Sequence, residues 1–205
     1  MQWSAIVPVK ASSTAKSRLQ TNAAWRAELS RAFLSDALSA LTSCPQIGRI
    51  LVVTDDTFLQ GNLDPSVEIT VIASEGLNQD INTGLRLLGD SPVAVITGDL
   101  PCLTTSSMAV VLDLATQYPR SFVSDSQGLG TTMLLAHNAS TCVPMFGVRA
   151  HAKHAQAGFM EIASDSGLES GLLARARRDV DTAIDLWDAR RIGVGPATSA
   201  LLDDL

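Results

Sequence analysis

Short apolar runs alternate with longer amphipathic stretches over the first 120 residues of the chain. The short runs are rich in β-branched residues and predict buried strands, whereas the longer stretches carry apolar residues at helical spacing. Strands are predicted at Ala5–Val9, Arg49–Val53, Val67–Ile72 and Val93–Thr97, and helices at Asn22–Leu41, Leu77–Leu88 and from the Thr104–Ser107 cluster to Gln117. This alternation predicts an α/β fold, a sheet with helices on both faces.

The pattern changes after residue 120. Two short strands, Ser121–Ser124 and Met133–Ala136, enclose a Gly/Thr loop, which is typical of an inserted or antiparallel part of a sheet. Helices are predicted near Ala150–Ala157, Glu169–Arg177 and Asp185–Arg191. No element is predicted from Gly193 onward, so we expect one domain over residues 1–192 and a C-terminal tail over 193–205.

The composition narrows the classes of function. The formal net charge of −6 argues against nonspecific nucleic-acid binding, which needs a positive face. Three widely spaced cysteines without a CxxC pair predict neither a disulfide framework nor a zinc site. The first residues do not resemble a signal peptide, and no run reaches the ~20 apolar residues of a membrane span, so a cytoplasmic protein is expected.

A cationic loop follows the first strand. Its sequence, VPVKASSTAKSRL, places Lys10, Lys16 and Arg18 just before a helix, where backbone N–H groups also favour anions. The loop lacks the glycines and the Gly-Lys-Ser/Thr ending of a Walker P-loop. An anion site and an ordinary solvated loop both remain open on this evidence.

Two acidic segments are candidate metal ligands. Asp99 follows a wholly apolar strand and is preceded by Gly98, and Asp179 and Asp181 alternate in a later segment. Magnesium takes one or two carboxylates and completes its shell with water and substrate phosphates. The alternatives are a turn aspartate that caps its own backbone and an acidic helix cap.

Weaker signals lie in three other loops. Glu75 and Asn78 offer an acid and an amide to a nucleobase edge, although Asn78 is also a plausible helix cap. Residues 128–132 (GLGTT) offer backbone N–H groups and hydroxyls to an anion, or form a simple hairpin turn. Lys153 or His154 is a candidate phosphate contact, since zinc ligands are missing nearby in sequence.

Taken in series, the motifs resemble the phospholactate/phosphoenolpyruvate guanylyltransferase family of coenzyme F420 biosynthesis. The resemblance runs from about Ala5 to Ala189 and rests on VPVK…AKSRL, VVTDD at 52–56, EGLNQDINTGL at 75–85, GDLP at 98–101, GLGTTMLL at 128–135, FG…KHAQAG at 146–158 and DVDTAIDL at 179–186. It implies a three-layer α/β/α nucleotidyltransferase fold of the glycosyltransferase A type, with a mixed, mainly parallel sheet. It also implies GTP as donor, Mg²⁺ as cofactor and a phosphorylated three-carbon acid as acceptor, and it leaves a homodimer open.

The resemblance also assigns roles to individual residues. On the donor side, Lys10, Lys16 and Arg18 should meet the GTP phosphates, with Lys16 also catalytic, and the 75–78 segment should contact guanine. Asp99, with Asp181 or Asp179, should hold Mg²⁺. On the acceptor side the implied residues are Thr131, Thr132, Gly147 and the position of Ala150, with His154 as a further candidate.

One position departs from the family pattern. The family usually has a serine three residues after the glycine of the Phe-Gly pair, and this chain has Ala150 there, between Arg149 and His151. The acceptor is therefore less determined than the donor, and the GTT form of the 130–132 loop favours phosphoenolpyruvate over 2-phospho-L-lactate. The alternatives are a nucleotidyltransferase for molybdopterin or a sugar phosphate, and a catalytically silent nucleotide-binding protein.

Overall fold

A computed structural model describes residues 1–11 and 22–203, so the predicted phosphate-binding residues Lys16 and Arg18 lie outside the described residues. The strands are β1 (Trp3–Val9), β2 (Ile47–Thr54), β3 (Glu68–Val71), β4 (Val93–Ile96), β5 (Arg120–Ser124), β6 (Thr131–Ala136) and β7 (Met160–Glu161). The helices are α1 (Ala23–Thr42), α2 (Leu77–Leu88), α3 (Thr105–Ala115), α4 (Ala150–Gln156), α5 (Gly167–Arg177), α6 (Ala183–Ile192) and α7 (Pro196–Asp203).

The described strands form one sheet in the order β3-β2-β1-β4-β6-β5-β7. Strands β1 to β4 run parallel, β6 is antiparallel to both β4 and β5, and β7 is parallel to β5. All of these strands except β6 therefore end at the same edge of the sheet. In open α/β sheets this carboxyl edge is where ligands bind.

Apolar side chains cover both faces of the sheet. On one face α1, α3 and α5 pack through residues such as Leu34, Leu112 and Leu173, and on the other α2 packs through Ile81 and Leu85. The central strands are buried on both sides, which explains why β4 reads as an unbroken apolar run. The three-layer α/β/α architecture with a mixed, mainly parallel sheet is thus confirmed.

Helix α2 packs directly against the sheet at one glycine. Gly84 is at the contact, where a Cβ atom would lie 3.0 Å from Cγ2 of Val53 and 3.1 Å from Cγ2 of Ile6. A side chain at this position would push the helix outward. The missing side chain of Gly84 thereby sets the distance between α2 and the sheet. This distance in turn positions the start of the helix at the carboxyl edge.

The C-terminal stretch, for which the sequence predicted no element, contains α7. Its first turn is capped by Asp36 of α1, whose carboxylate accepts from the backbone N–H groups of Ala197 and Thr198 at 2.9 Å each. Gly195 precedes the helix because a Cβ there would lie 2.4 Å from Cγ of Asp36. Leu202 of α7 joins an apolar cluster with Phe33 of α1. The cap lies 161 residues away in sequence, so no local pattern announces it.

Across residues 1–11 and 22–203, no helix combines the length and the apolar character that crossing a bilayer requires.

Candidate active site

A cavity of about 250 Å³ opens at the carboxyl edge, between the ends of β1 and β4 and the start of α2. Helix α1 closes one side of it with Ser30, Phe33 and Leu34. The remaining walls are formed by Pro8, Val9, Lys10, Leu77, Asp80, Thr97, Gly98 and Asp99. The structure therefore brings the predicted residues Lys10 and Asp99, which are far apart in sequence, to one cavity.

The loop after β4 contributes polar groups to the lining of this cavity. Thr97 has a buried hydroxyl without a hydrogen-bond partner among the described residues. A buried hydroxyl that stays unpaired costs about 1–3 kcal/mol, so it is best explained by a ligand or water that pairs with it. Asp99 comes two residues later and is partly buried.

The second acidic segment lies directly beside Asp99. The backbone N–H of Val180 donates to the Asp99 carbonyl at 3.2 Å, and the buried Val180 separates Asp179 from Asp181. Helix α6 starts immediately afterwards with a capping box between Thr182 and Asp185, which holds the end of this segment in place. The backbone of the segment with Asp179 and Asp181 therefore lies beside the backbone of Asp99.

A full protein cage for a metal is not built here. The described residues contain no group of three or more His, Cys, Asp or Glu side chains arranged to hold a metal ion. Magnesium does not need such a cage, because it takes one or two carboxylates together with substrate phosphates. Asp99, supported by Asp179 or Asp181, fits that requirement, and its metal role stays a prediction.

Asp80 lines the cavity although no sequence motif predicted it as a site residue. Its carboxylate is only 7% exposed, lines the cavity, and accepts from Oγ of Ser74 at 2.6 Å and from the backbone N–H of Glu75 at 3.2 Å. It lies in the first turn of α2, where the helix dipole favours a negative charge. The sequence feature that could have identified Asp80 is an acidic residue in the first turn of a predicted helix.

Asp80 also shapes the predicted base-binding loop. Because it holds Ser74 and the Glu75 backbone, it fixes the turn at Gly76, whose φ of 111° favours glycine. The Glu75 side chain itself is exposed. Its contact with guanine stays a prediction.

Asn78 makes contacts within the protein, and its predicted contact with guanine stays a prediction. Its Nδ2 donates to the Phe146 carbonyl at 3.1 Å, and its Oδ1 accepts from the Phe146 N–H at 2.8 Å. This two-way pairing ties the start of α2 to the loop before Gly147. The Asn78 amide thus holds the loop at Phe146, and both its nitrogen and its oxygen form hydrogen bonds within the protein.

The two threonines of the predicted acceptor loop diverge. A β-bulge lies at the start of β6, since Ser124 pairs with Thr131 but Val123 pairs with Met133. Oγ1 of Thr132 donates to the Ala176 carbonyl of α5 at 2.8 Å, whereas Oγ1 of Thr131 contacts His154 of α4 at 2.9 Å. Bulges are known to re-aim side chains beside functional sites. Both hydroxyls are buried and engaged, so the structure gives each a positioning contact.

His154 is completely buried, and both of its ring nitrogens have partners within the protein. Nε2 accepts from the backbone N–H of Met145 at 3.0 Å, so Nδ1 must carry the proton of the neutral ring and donate to Thr131. Burial, followed by the charges of Lys153 and His151, lowers the pKa of His154 from 6.5 to about 4. A direct contact to an acceptor phosphate, as predicted, would require breaking these bonds. The ring holds Thr131 and the backbone at Met145, and its contact with the acceptor stays a prediction.

Gly147 and Ala150 lie on the loop that leads into α4. Gly147 has a φ of 107° and is exposed, whereas Ala150 is only 1% exposed. Between them Arg149 adopts the left-handed conformation (φ 58°, ψ 36°), the only non-glycine residue among those described with a positive φ. The N–H of His151 donates to the Leu129 carbonyl at 3.2 Å. This bond joins the loop to residues 128–131, which we call the glycine loop.

Cys102, which lies in the loop after β4 close to Asp99 in sequence, is not suited to act as a nucleophile. Sγ of Cys102 donates to the Ala189 carbonyl at 3.4 Å, and burial raises the pKa of Cys102 to about 11. A thiol with that pKa stays protonated at neutral pH. Covalent cysteine chemistry is therefore disfavoured.

Sequence similarity to known proteins extends over nearly the whole chain. The family model described as "Guanylyl transferase CofC like" matches residues 3–188. A phosphoenolpyruvate guanylyltransferase of Streptomyces coelicolor is 38% identical over 98% of this chain and 96% of its own length. One of Streptomyces scabiei is 35% identical over 98% and 95%.

Solved structures share the fold at low sequence identity. A 4-diphosphocytidyl-2C-methyl-D-erythritol synthase superposes with a TM-score of 0.63 at 13% identity, covering 93% of this chain and 98% of that one. A nucleotidyl transferase from Methanothermobacter gives 0.56 at 14% identity, over 100% and 99%. These likenesses support the nucleotidyltransferase fold, and the sequence matches are far more specific. The chain belongs to the guanylyl transferase CofC-like family of nucleotidyltransferases.

Proposed function

We propose that this chain transfers GMP from GTP to phosphoenolpyruvate and releases diphosphate, as a step of coenzyme F420 biosynthesis. The observation that carries the proposal is that Asp99 and Lys10 line one cavity, while the Asp99 carbonyl accepts from the backbone N–H of Val180, which lies between Asp179 and Asp181. A carboxylate and a cation beside a ligand-sized space are what a nucleoside triphosphate with its metal ion requires.

The donor occupies the cavity between β1, α1 and α2. Lys10 lines its wall, and Lys16 and Arg18 follow in the same connection toward α1. These cations would balance the triphosphate, and the loop at residues 75–78 would contact guanine. Asp80 keeps that loop in place through Ser74 and the Glu75 backbone.

The acceptor lies at the glycine loop of residues 128–131 and the loop that contains Gly147. The Streptomyces relatives are phosphoenolpyruvate guanylyltransferases, which supports phosphoenolpyruvate as the acceptor. Ala150 is buried and has no hydroxyl to offer, whereas the exposed Arg149 adjoins it with a guanidinium. A charge-assisted bond from Arg149 would replace the serine contact of the family.

The reaction needs no covalent enzyme intermediate. An oxygen of the acceptor phosphate attacks the α-phosphorus of GTP, forming a new P–O bond as the bond to the diphosphate oxygen breaks. A Mg²⁺ ion held by Asp99 with Asp179 or Asp181 would supply charge neutralisation between the two anionic reactants. The acceptor already carries its nucleophile as an anion, so the protein contributes positioning and electrostatics.

The direct test is diphosphate release with GTP, Mg²⁺ and phosphoenolpyruvate, with 2-phospho-L-lactate and sugar phosphates as competing acceptors. Asp99→Asn should reduce turnover by roughly 100-fold or more, an order of magnitude typical of losing a charge-stabilising group, with an unchanged circular dichroism spectrum. The matched control is Asp90→Asn, an exposed acid after α2 that should keep full activity. Near-wild-type turnover of Asp99→Asn would refute the metal role. GTP binding without release for any acceptor would favour a silent nucleotide-binding protein.

A further inference from the structure

The C-terminal turn of α5 contacts the loop that carries Asp99. Nη1 of Arg175 donates to the Cys102 carbonyl at 3.4 Å and to the Gly193 carbonyl at 3.0 Å, and its Nη2 donates to the Ile192 carbonyl at 2.8 Å. One guanidinium therefore joins the loop after β4 to the end of α6. The acidic segment with Asp181 connects the end of α5 to the start of α6, so these two helices hold it from both ends.

The same turn contacts the acceptor side of the site. The Ala176 carbonyl accepts from Oγ1 of Thr132 at 2.8 Å. Arg177 donates from Nε and Nη2 to the Asp125 carbonyl at 3.4 and 3.3 Å. The Asp125 carboxylate in turn accepts from the N–H groups of Leu129 and Gly130 at 2.9 and 2.8 Å, so it closes the glycine loop.

Three consecutive residues thus hold both sides of the site. Ala176 is fully buried and Leu173, one turn earlier, is 4% exposed, so the core fixes the turn from which both arginines project. A guanidinium presents several N–H groups in a rigid plane and can serve carbonyls on separate segments at once, which an ammonium on a flexible stem cannot do equally well.

We propose that Arg175 and Arg177 are positioning residues. They set the spacing between the loop that carries Asp99 and the glycine loop of residues 128–131, which lies on the acceptor side. Arg175 acts through three main-chain carbonyls, whereas Arg177 acts through the Asp125 carbonyl and also lies 4.0 Å from the Glu161 carboxylate. The assignment of the two loops to donor and acceptor rests on the proposed function. Because the reaction joins two phosphates in line, small errors in this spacing reduce the rate steeply.

The kinetic test compares Arg175→Lys and Arg177→Lys, which keep the charge and lose the planar fork. Arg177→Lys should raise the KM for phosphoenolpyruvate about fivefold, the factor expected from one net hydrogen bond, and leave the KM for GTP unchanged. Arg175→Lys should lower kcat about fivefold and leave the acceptor KM unchanged. Arg191→Lys is the matched control, since Arg191 contacts the exposed ring of Trp187 on the outer side of α6. The proposal is overturned if both variants change the same parameter, or if they lower only the melting temperature.

Hydrogen–deuterium exchange tests the same proposal without any catalysis. Arg175→Lys should accelerate exchange about fivefold in peptides covering residues 98–103, and Arg177→Lys should do so in peptides covering 125–130. Equal acceleration of both peptides by either variant would overturn the separate roles. A wild-type chain that releases no diphosphate with any acceptor would refute the proposed function, and the exchange pattern would still decide the positioning roles.

Discussion

Lowering the pH should destabilise the folded chain through His154, the buried ring that holds Thr131 and the Met145 backbone. The ring makes edge contacts with Phe146 and Phe159 at centroid distances of 5.4 and 5.7 Å, and it has no exposed surface. A proton on Nε2 would turn the acceptor of the Met145 N–H into a donor. Protonation of the His154 ring is therefore unfavourable in the folded state.

The magnitude follows from the pKa of His154, which is lowered from 6.5 to about 4. One pKa unit corresponds to about 1.4 kcal/mol, so the difference amounts to about 3 kcal/mol of unfolding free energy. Between pH 6.5 and 4 the unfolded chain binds a proton at this ring and the folded chain does not. The contribution is thus fully present above pH 6.5 and is lost as the pH falls toward 4.

The assay is urea unfolding, followed by circular dichroism, of wild type and His154→Gln at several pH values from about 7.5 to about 4. Glutamine does not titrate, so the difference in unfolding free energy between the two proteins should shrink by about 3 kcal/mol over this range. His137→Gln is the control, because His137 is a histidine outside this loop whose Nε2 bonds to the Ala115 carbonyl at 3.1 Å. A difference between wild type and His154→Gln that stays constant with pH would refute the reasoning.

Three further predictions concern the segments around the site. Asp36→Ala should lower the unfolding free energy by about 3 kcal/mol in urea titrations, because the start of α7 loses two buried charge-assisted hydrogen bonds. Gly130→Ala should raise the acceptor KM about tenfold in steady-state kinetics, since its Cβ would lie 2.5 Å from Oδ2 of Asp125 and displace the carboxylate that closes the loop. Arg149→Asn, which tolerates the left-handed backbone, should raise the acceptor KM about tenfold at unchanged stability, and Lys153→Gln should have a smaller effect.

Matched variants make these outcomes decisive. Gly171→Ala should stabilise the chain by about 0.5–1 kcal/mol, because a Cβ atom on this helical glycine of α5 would have no neighbour within 4 Å. Asp188→Ala, in the partly exposed ion pair with Arg178, should cost less than Asp36→Ala. An unchanged acceptor KM in Gly130→Ala would contradict the role of the glycine loop. An equal effect of Lys153→Gln and Arg149→Asn would contradict the assignment to Arg149.

Local patterns predicted most of the secondary structure. Leu77–Leu88 was predicted with the observed bounds, because its apolar stripe is regular and Gly89 ends it with a φ of 64°. Thr104, predicted as part of a capping cluster, is the N-cap of α3. These features depend on neighbours within a few positions, which is the range over which helix and strand preferences act.

The series of motifs also indicated the family on its own. The motifs that contain Lys10 and Asp99 lie at the carboxyl ends of β1 and β4, and a parallel sheet brings such ends to one edge whatever the sequence between them. The meeting of Lys10 with Asp99 at one cavity was therefore predictable in outline. The metal and substrate roles of these residues stay predictions.

Only the tertiary structure decided which polar groups line the cavity and which are hydrogen-bonded within the protein. The Asn78 amide pairs with the Phe146 backbone 68 residues away, and Asp36 caps a helix 161 residues away. The bulge at Thr131 depends on the register between β5 and β6, which the side-chain pattern of one strand does not reveal. The sequence by itself thus determined the layers of the fold and the family. The fates of individual buried polar groups were set by partners distant in sequence, because a hydrogen bond depends on position in space and leaves no local periodicity.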